Sequence, residues 1–87
     1  MFKVVYIDTV VKKDIPKLGK REKLVIKKAI ETRLTQDPVG FGKPLRYSLS
    51  GHRRLRVGSY RIIYRIDIDQ YQVVISAIKH RKDVYDN

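Results

Sequence analysis

The sequence has no cysteine and no tryptophan among its 87 residues. Without cysteine there are no disulfides, no thiolate metal sites and no cysteine nucleophile, a composition compatible with a reducing compartment. Long hydrophobic runs are missing too. Stretches such as Val73-Val74-Ile75 fall far short of the ~20 residues that span a bilayer. The opening Met1-Phe2-Lys3-Val4-Val5-Tyr6 lacks the apolar core and cleavage site of a secretory leader. A cytoplasmic protein without membrane contact is therefore expected. Nothing follows the spacing of a P-loop, a dinucleotide fold or a metal site, so no cofactor and no metal are expected. Acidic residues are scarce as well: 9 against 20 Lys plus Arg, for a net charge of +11 and a pI near 10.1. So much positive potential on a small surface makes polyanions the natural partners.

Hydrophobic residues make up 43% of the chain, enough for one compact core, and no break in composition separates parts of it. One domain over 1–87 is expected. Both halves are basic, but by different means. Residues 1–43 carry nine Lys and two Arg, whereas 44–87 carry seven Arg and two Lys. The stretch from Arg46 to Arg61 holds five Arg and no acid. Lysine on a helix attracts polyanions at long range, while arginine presents a planar fork that grips phosphate with two hydrogen bonds. The second half is the gripping half.

Hydrophobic periodicity predicts the elements. Phe2 to Asp8 is β-rich. Thr9 is placed to cap a short helix running to about Leu18, and Gly19 to end it. From Lys20 to about Thr35, Leu24, Ile26, Ala29, Ile30 and Leu34 mark an amphipathic helix, so the two form a helical hairpin. The Pro- and Gly-containing run from Gln36 to Pro44 reads as a loop. Four strands are expected after it: a weak one at about Leu45 to Leu49, then Arg53 to Val57, Tyr60 to Ile68 and Tyr71 to Ile78. Ser50-Gly51, Gly58-Ser59 and the residues around Asp67 and Asp69 have turn chemistry. The expected class is α+β, an N-terminal strand and helical hairpin on a mainly antiparallel sheet of about four further strands.

Alternation along strands then places the side chains. Leu55 and Val57 face the core, while Arg54 and Arg56 share the other face with His52. In the next strand Arg61 and Arg65 fall together, opposite Tyr60, Ile62, Tyr64 and Ile66. A hairpin about Gly58-Ser59 brings Arg54, Arg56 and Arg61 onto one face, where their mutual repulsion favours a bound anion. His80, the only histidine besides His52, comes after the last strand, from where the chain can swing over that face. Histidine or tyrosine can donate a proton to a departing oxygen and arginine can steady phosphate charge, the minimum set for cleaving a phosphodiester. A solvated basic surface with a free tail has the same composition, so both readings stay open at this point. The tyrosines Tyr6, Tyr47, Tyr60, Tyr64 and Tyr71 read as packing more readily than as base-stacking platforms.

Three stretches carry a family resemblance: Leu45-Arg46 … Leu49-Ser50-Gly51, the string Arg54-Leu55-Arg56-Val57-Gly58-Ser59-Tyr60-Arg61-Ile62-Ile63-Tyr64, and Val74 to Tyr85 with its ending His80-Arg81 … Val84-Tyr85. With them the chain resembles the RelE/ParE toxin superfamily, and specifically its RelE-like branch, over essentially its whole length. The resemblance implies the RelE-like fold and a type II toxin that enters the ribosomal A site and cleaves the messenger there. It implies 2′-hydroxyl attack without a metal, and a cognate RelB-like antitoxin that wraps the toxin and silences it. Carried over residue by residue, it makes Arg54, Arg56 and Arg61 the phosphate-binding catalytic set. His80 or Arg81 takes the basic position after the last strand, and Tyr85 the C-terminal tyrosine that orients a base. His52, Arg53, Lys79 and Lys82 are the flanking RNA-binding candidates, with ribosomal RNA and messenger as partners. The chain, ending at Asn87, is expected to lack the long C-terminal helix some relatives use as a movable cover.

One departure from the family bears on mechanism. Arginine stands on the third strand where well-known members carry lysine, and arginine, with a pKa above ~12, is a poor proton acceptor. On this reading His80 is the proton donor, and the base is His52 or a group of the ribosome. Two alternatives belong to other classes: a ParE-like inhibitor of DNA gyrase, and a non-catalytic RNA-binding module.

Overall fold

The computed structural model describes residues 1–83; Val84 to Asn87, and with them Tyr85, lie outside the described residues. Strand β1 (Lys3–Tyr6) is followed by a helical segment, Val10–Asp14, tightening into a 3₁₀ turn at Ile15–Lys17. Helix α1 (Lys20–Ala29) runs on through a wider turn, Ile30–Leu34. A short helix α2 (Pro38–Phe41) and a two-residue strand β2 (Lys43–Pro44) lead to β3 (Arg53–Val57), β4 (Tyr60–Asp67) and β5 (Gln72–His80). The five strands form one sheet in the order β1-β5-β4-β3-β2. Only the β1–β5 pair is parallel; the other pairs are antiparallel. The α+β class and the helical hairpin on a mainly antiparallel sheet are thus observed.

Alternation sorts the sheet into two faces. Leu55, Val57, Ile62, Tyr64, Val73, Ile75 and Ile78 form one cluster with Val10, Leu18, Ile26, Ala29, Ile30 and Leu34 of the helical layer. Each such aliphatic side chain contributes roughly 1.5–3 kcal/mol by leaving water. Ile63, Val74 and Leu45 are also buried but lie outside that cluster, as expected of residues on the opposite side of the sheet. Leu24 lies 70% exposed, so the amphipathic pattern over-counted the buried face of α1 by this residue.

Four local expectations are corrected. The weak strand falls at Lys43–Pro44 rather than Leu45 to Leu49, where a 3₁₀ turn, Tyr47–Leu49, lies instead. Within the Pro- and Gly-containing loop, Pro38 opens α2, and Asp37 caps it by accepting from the Gly40 amide. Gly19 does not end a helix in the left-handed region; it is extended (φ −70°, ψ 165°) and starts α1. Thr9 is itself helical and makes no side-chain cap.

Two tertiary devices fix the loops and strand ends around the sheet. Tyr64, fully buried, donates its hydroxyl to the Pro38 carbonyl. The Arg53 guanidinium donates to the Val39 and Gly42 carbonyls at 2.8 and 3.0 Å. Gly42 lies so close to the Tyr64 hydroxyl that a Cβ there would collide with it. At the far end of β5, Asp14 is 5% exposed, accepts from the Ile78 amide at 2.9 Å and holds the Lys79 ammonium at 2.8 Å. The register of β1 against β5 stops at Tyr6–Ile75, so Asp14 takes over where strand pairing ends. Replacing Asp14 with alanine strands a buried amide and should lower unfolding free energy by about 1–3 kcal/mol. Asparagine, which still accepts from Ile78, should recover part of that loss in urea denaturation.

Burial raises the Tyr64 hydroxyl pKa above its ordinary value near 10, an effect Arg53 partly offsets. Burial, and then the Glu31 carboxylate, raise that of Tyr6. A raised folded-state value means the folded protein holds these protons more tightly than the unfolded chain. Their contribution to stability is therefore complete below pH 10 and is lost as pH rises through the raised values. Melting temperature should decline from about pH 10 upward, and Tyr6→Phe and Tyr64→Phe should each flatten the decline.

Candidate nucleic-acid interface

The β3–β4 hairpin pairs Val57 with Tyr60 across Gly58-Ser59, and next to them Arg56 stands directly opposite Arg61. Gly58 has φ +57°, the left-handed region that a tight hairpin turn of this length requires and that glycine adopts without strain. Like charges opposite each other on a sheet repel, and an anion bound beside the Arg56–Arg61 pair would lower that repulsion. Beyond β5 the chain enters the 3₁₀ turn Arg81–Asp83, and the Arg81 amide donates to the Ser59 carbonyl at 2.8 Å. That bond ties the residue after the last strand to the hairpin tip. Arg56, Arg61 and Arg81 consequently line one small cleft of about 120 Å³ together with Gly58, Ser59 and Tyr60. Among the described residues no carboxylate lines it, and three planar donors around a pocket of this size suit a phosphoryl group.

Arg54 lies one step along the same face. With Arg56 it borders a second recess of about 240 Å³ that also includes Arg33, Phe41, Lys43 and Leu55. Lys43 pairs with Arg54 across β2–β3. The two recesses share Arg56 and form a continuous basic track. Sequence reading missed Lys43 and Arg33: the first stood in a segment read as loop, the second on a helix of otherwise solvated charges. The run Lys43-Pro44-Leu45-Arg46, two bases close together at the entry to the arginine-rich stretch, was the available signal.

The remaining candidates fall elsewhere. Between Ile63–Ala77 and Tyr64–Ile75 the β4–β5 register slips, leaving Ser76 as an extra residue. Because a bulge inverts the alternation beyond it, Ile78 joins Val73 and Ile75 in the core, and His80 falls opposite Tyr60. His80 meets the Tyr60 ring edge-on, 5.3 Å between centroids. It lines a different cavity, of about 470 Å³, with Asp14, Lys17, Lys79 and Asp83. Its Nδ1 accepts from the Lys82 amide at 3.2 Å. The expectation that His80 swings over the arginine face is corrected: Arg81 does so. Arg53 is likewise turned to the helix side by its loop carbonyls, and the Lys79 ammonium is engaged by Asp14. Lys82 is exposed. His52 is half-buried, and among the described residues its Nδ1 has no hydrogen-bond partner. The tyrosines divide: Tyr64 is core, Tyr71 stacks on Phe2 at 4.0 Å, and Tyr47 is 78% exposed.

Among the described residues no three His, Asp or Glu side chains gather as a metal ion would need, and no helix is long and apolar enough to cross a membrane.

A sheet of this order with a helical hairpin behind it matches the fold of solved RelE toxins. The toxin of the toxin–antitoxin complex RelBE2 from Mycobacterium tuberculosis superposes with a TM-score of 0.85 at 35% identity, covering 92% of this chain and 98% of that one. The isolated Escherichia coli RelE toxin gives 0.76 at 14% identity, over 92% and 84%, a likeness of fold. Toxin RelG of Mycobacterium tuberculosis is 38% identical over 77 residues, 88% of either chain. A family model described as the ParE toxin of the type II toxin–antitoxin system parDE matches residues 5–85. The chain belongs to the RelE/ParE superfamily of type II toxins, as a RelE-family member.

Proposed function

We propose that this toxin is an endoribonuclease that cleaves messenger RNA in the ribosomal A site and so stops translation. The observation that carries the reading is the cleft formed by Arg56, Arg61 and Arg81 at the hairpin tip. In the step proposed, the 2′-hydroxyl oxygen forms a bond to the adjacent phosphorus while the phosphorus–O5′ bond breaks. The products are a 2′,3′-cyclic phosphate and a free 5′-hydroxyl. Negative charge accumulates on the non-bridging oxygens at the transition state, where fixed guanidinium donors stabilise it more than they stabilise the ground state. Arg54 and Lys43 hold the neighbouring phosphates. None of the three cleft arginines takes up a proton near neutral pH. His52 lines neither recess, so the 2′-hydroxyl proton leaves to a group of the ribosome, the departing 5′-oxygen takes up a proton from water or a ribosomal group, and Tyr85 orients a base.

A RelB-like antitoxin is the proposed partner, since relatives such as the one from Mycobacterium tuberculosis were solved as toxin–antitoxin complexes; an acidic or amphipathic segment covering the basic face would silence the cleft. Ribosomal RNA and messenger are the other partners, and the cytoplasm is the site of action. A second reading, gyrase inhibition, is favoured by the parDE description of the matching family model. Primer extension on a defined messenger in a reconstituted translation mixture separates them. Ribosome-dependent cuts within the A-site codon are expected; intact messenger with inhibited DNA supercoiling would replace this reading by the second.

A further inference from the structure

Behind the hairpin tip, on the side of α1, lies a recess of about 210 Å³ that the proposed chemistry does not use. Val25 and Ile26 of α1 and Val57 and Tyr60 of the hairpin give it apolar walls, and Arg21 stands at its edge. From its position and lining we infer that this slot receives the nucleobase next to the phosphate held by Arg56, Arg61 and Arg81. The inference rests on the nuclease reading and adds a base-binding subsite to it.

Three observations carry it. The slot and the arginine cleft share Gly58, Ser59 and Tyr60, so they are the two sides of one hairpin tip. A nucleotide whose phosphate lies on one side needs only to pass over the turn for its base to reach the other. The crest is bare at the point of crossing: a Cβ built on Gly58 meets nothing within 4 Å. The size also fits a single ring system, since 210 Å³ lies below the roughly 300–1,000 Å³ of pockets that enclose drug-sized ligands.

The chemistry of the walls agrees with such an occupant. A base offers a flat apolar face that aliphatic side chains and the edge or face of an aromatic ring can cover, and an arginine plane can stack on it. Val25 is 50% exposed although it borders an apolar recess, an arrangement in which a bound ring would shield it from water. Glu22, which also borders the slot, folds back against Gly19 at the start of α1. Recognition is therefore by shape and stacking, which gives a preference for base size over hydrogen-bond pattern.

The test uses the full chain and three RNA trinucleotides, each with an abasic residue at a different position, titrated by NMR alongside the intact trinucleotide. The wild type should bind one of the abasic forms about five- to tenfold more weakly than the intact RNA, with the Val25 and Val57 methyl signals shifting only when that base is present. Val25→Gln, which puts a neutral side chain into the slot from an exposed position, should bind the intact RNA no better than that abasic form. Gly58→Asn, tolerated at positive φ, should act in the same way by blocking the crest. Base discrimination unchanged in both variants overturns the subsite. Binding that is weakened by Arg61→Ala but indifferent to every base overturns the subsite and leaves the arginine cleft standing. Absence of any Arg61-dependent binding overturns the subsite, while the ribosome-dependent cleavage assay separately decides the nuclease reading.

Discussion

Arg61→Ala should reduce ribosome-dependent cleavage of messenger by about 10²–10³-fold, the usual effect of deleting one preorganised donor to a developing oxyanion. Arg61 is the half-buried member of the cleft, whereas Arg56 and Arg81 are exposed. A charge held away from water acts through a lower effective dielectric and cannot be replaced by a neighbour swinging in. Its position opposite Arg56 is set by the hairpin register and does not depend on occupancy. The measurement pairs primer extension with thermal melting of the same preparation. A loss under tenfold at unchanged melting temperature would remove Arg61 from the chemistry. Arg61→Lys should restore only part of the activity, since an ammonium cannot reproduce the two-pronged contact with phosphate.

The largest effect on stability is expected at Tyr64. Alanine there should lower unfolding free energy by about 3–5 kcal/mol, the range for truncating a large buried aromatic. In a domain of this size that corresponds to a fall in melting temperature of about 12 °C at the least. Two losses combine. The ring is fully buried at the centre of the core cluster, so its removal leaves a cavity. The hydroxyl also anchors the Pro38 carbonyl from a position 26 residues away in sequence, so α2 and the approach to β2 lose their tether. Tyr64→Phe separates the two: packing stays, and only the cost of an unmade hydrogen bond, about 1 kcal/mol, should remain. Equal destabilisation by Phe and Ala in denaturant titrations would show that the hydroxyl contact, and not the packing, dominates.

Much of this molecule is written in local patterns. Alternation from Tyr60 to Ile68 and from Arg53 to Val57 identifies β4 and β3, and Gly58-Ser59 their turn, because a strand repeats every two residues and a hairpin of two residues needs glycine or its like. Those facts alone place Arg54, Arg56 and Arg61 on one face. The composition, with its arginine-rich second half, indicates the class of ligand that face would attract.

The positions of His80 and Arg81, at the end of β5 and just beyond it, were not readable in the same way. An extra residue at Ser76 changes which side every later residue occupies, and no local pattern marks a bulge whose cause is the fit of two strands. Strict alternation from Val73 and Ile75 would have turned His80 outward; the slipped register turns it toward Tyr60 and leaves Arg81 to reach the hairpin tip. Asp14 is a similar case, an acid among lysines in sequence that becomes the partner of Ile78 and Lys79 some 64 and 65 residues away. The recess beside Val25 exists only because α1 packs against the tip of a hairpin formed much later in the chain. Elements and faces follow from periodicity, which is a property of neighbours along the chain. Which charged groups share a cleft is decided by register and packing between distant segments, and those are settled only when the whole core closes.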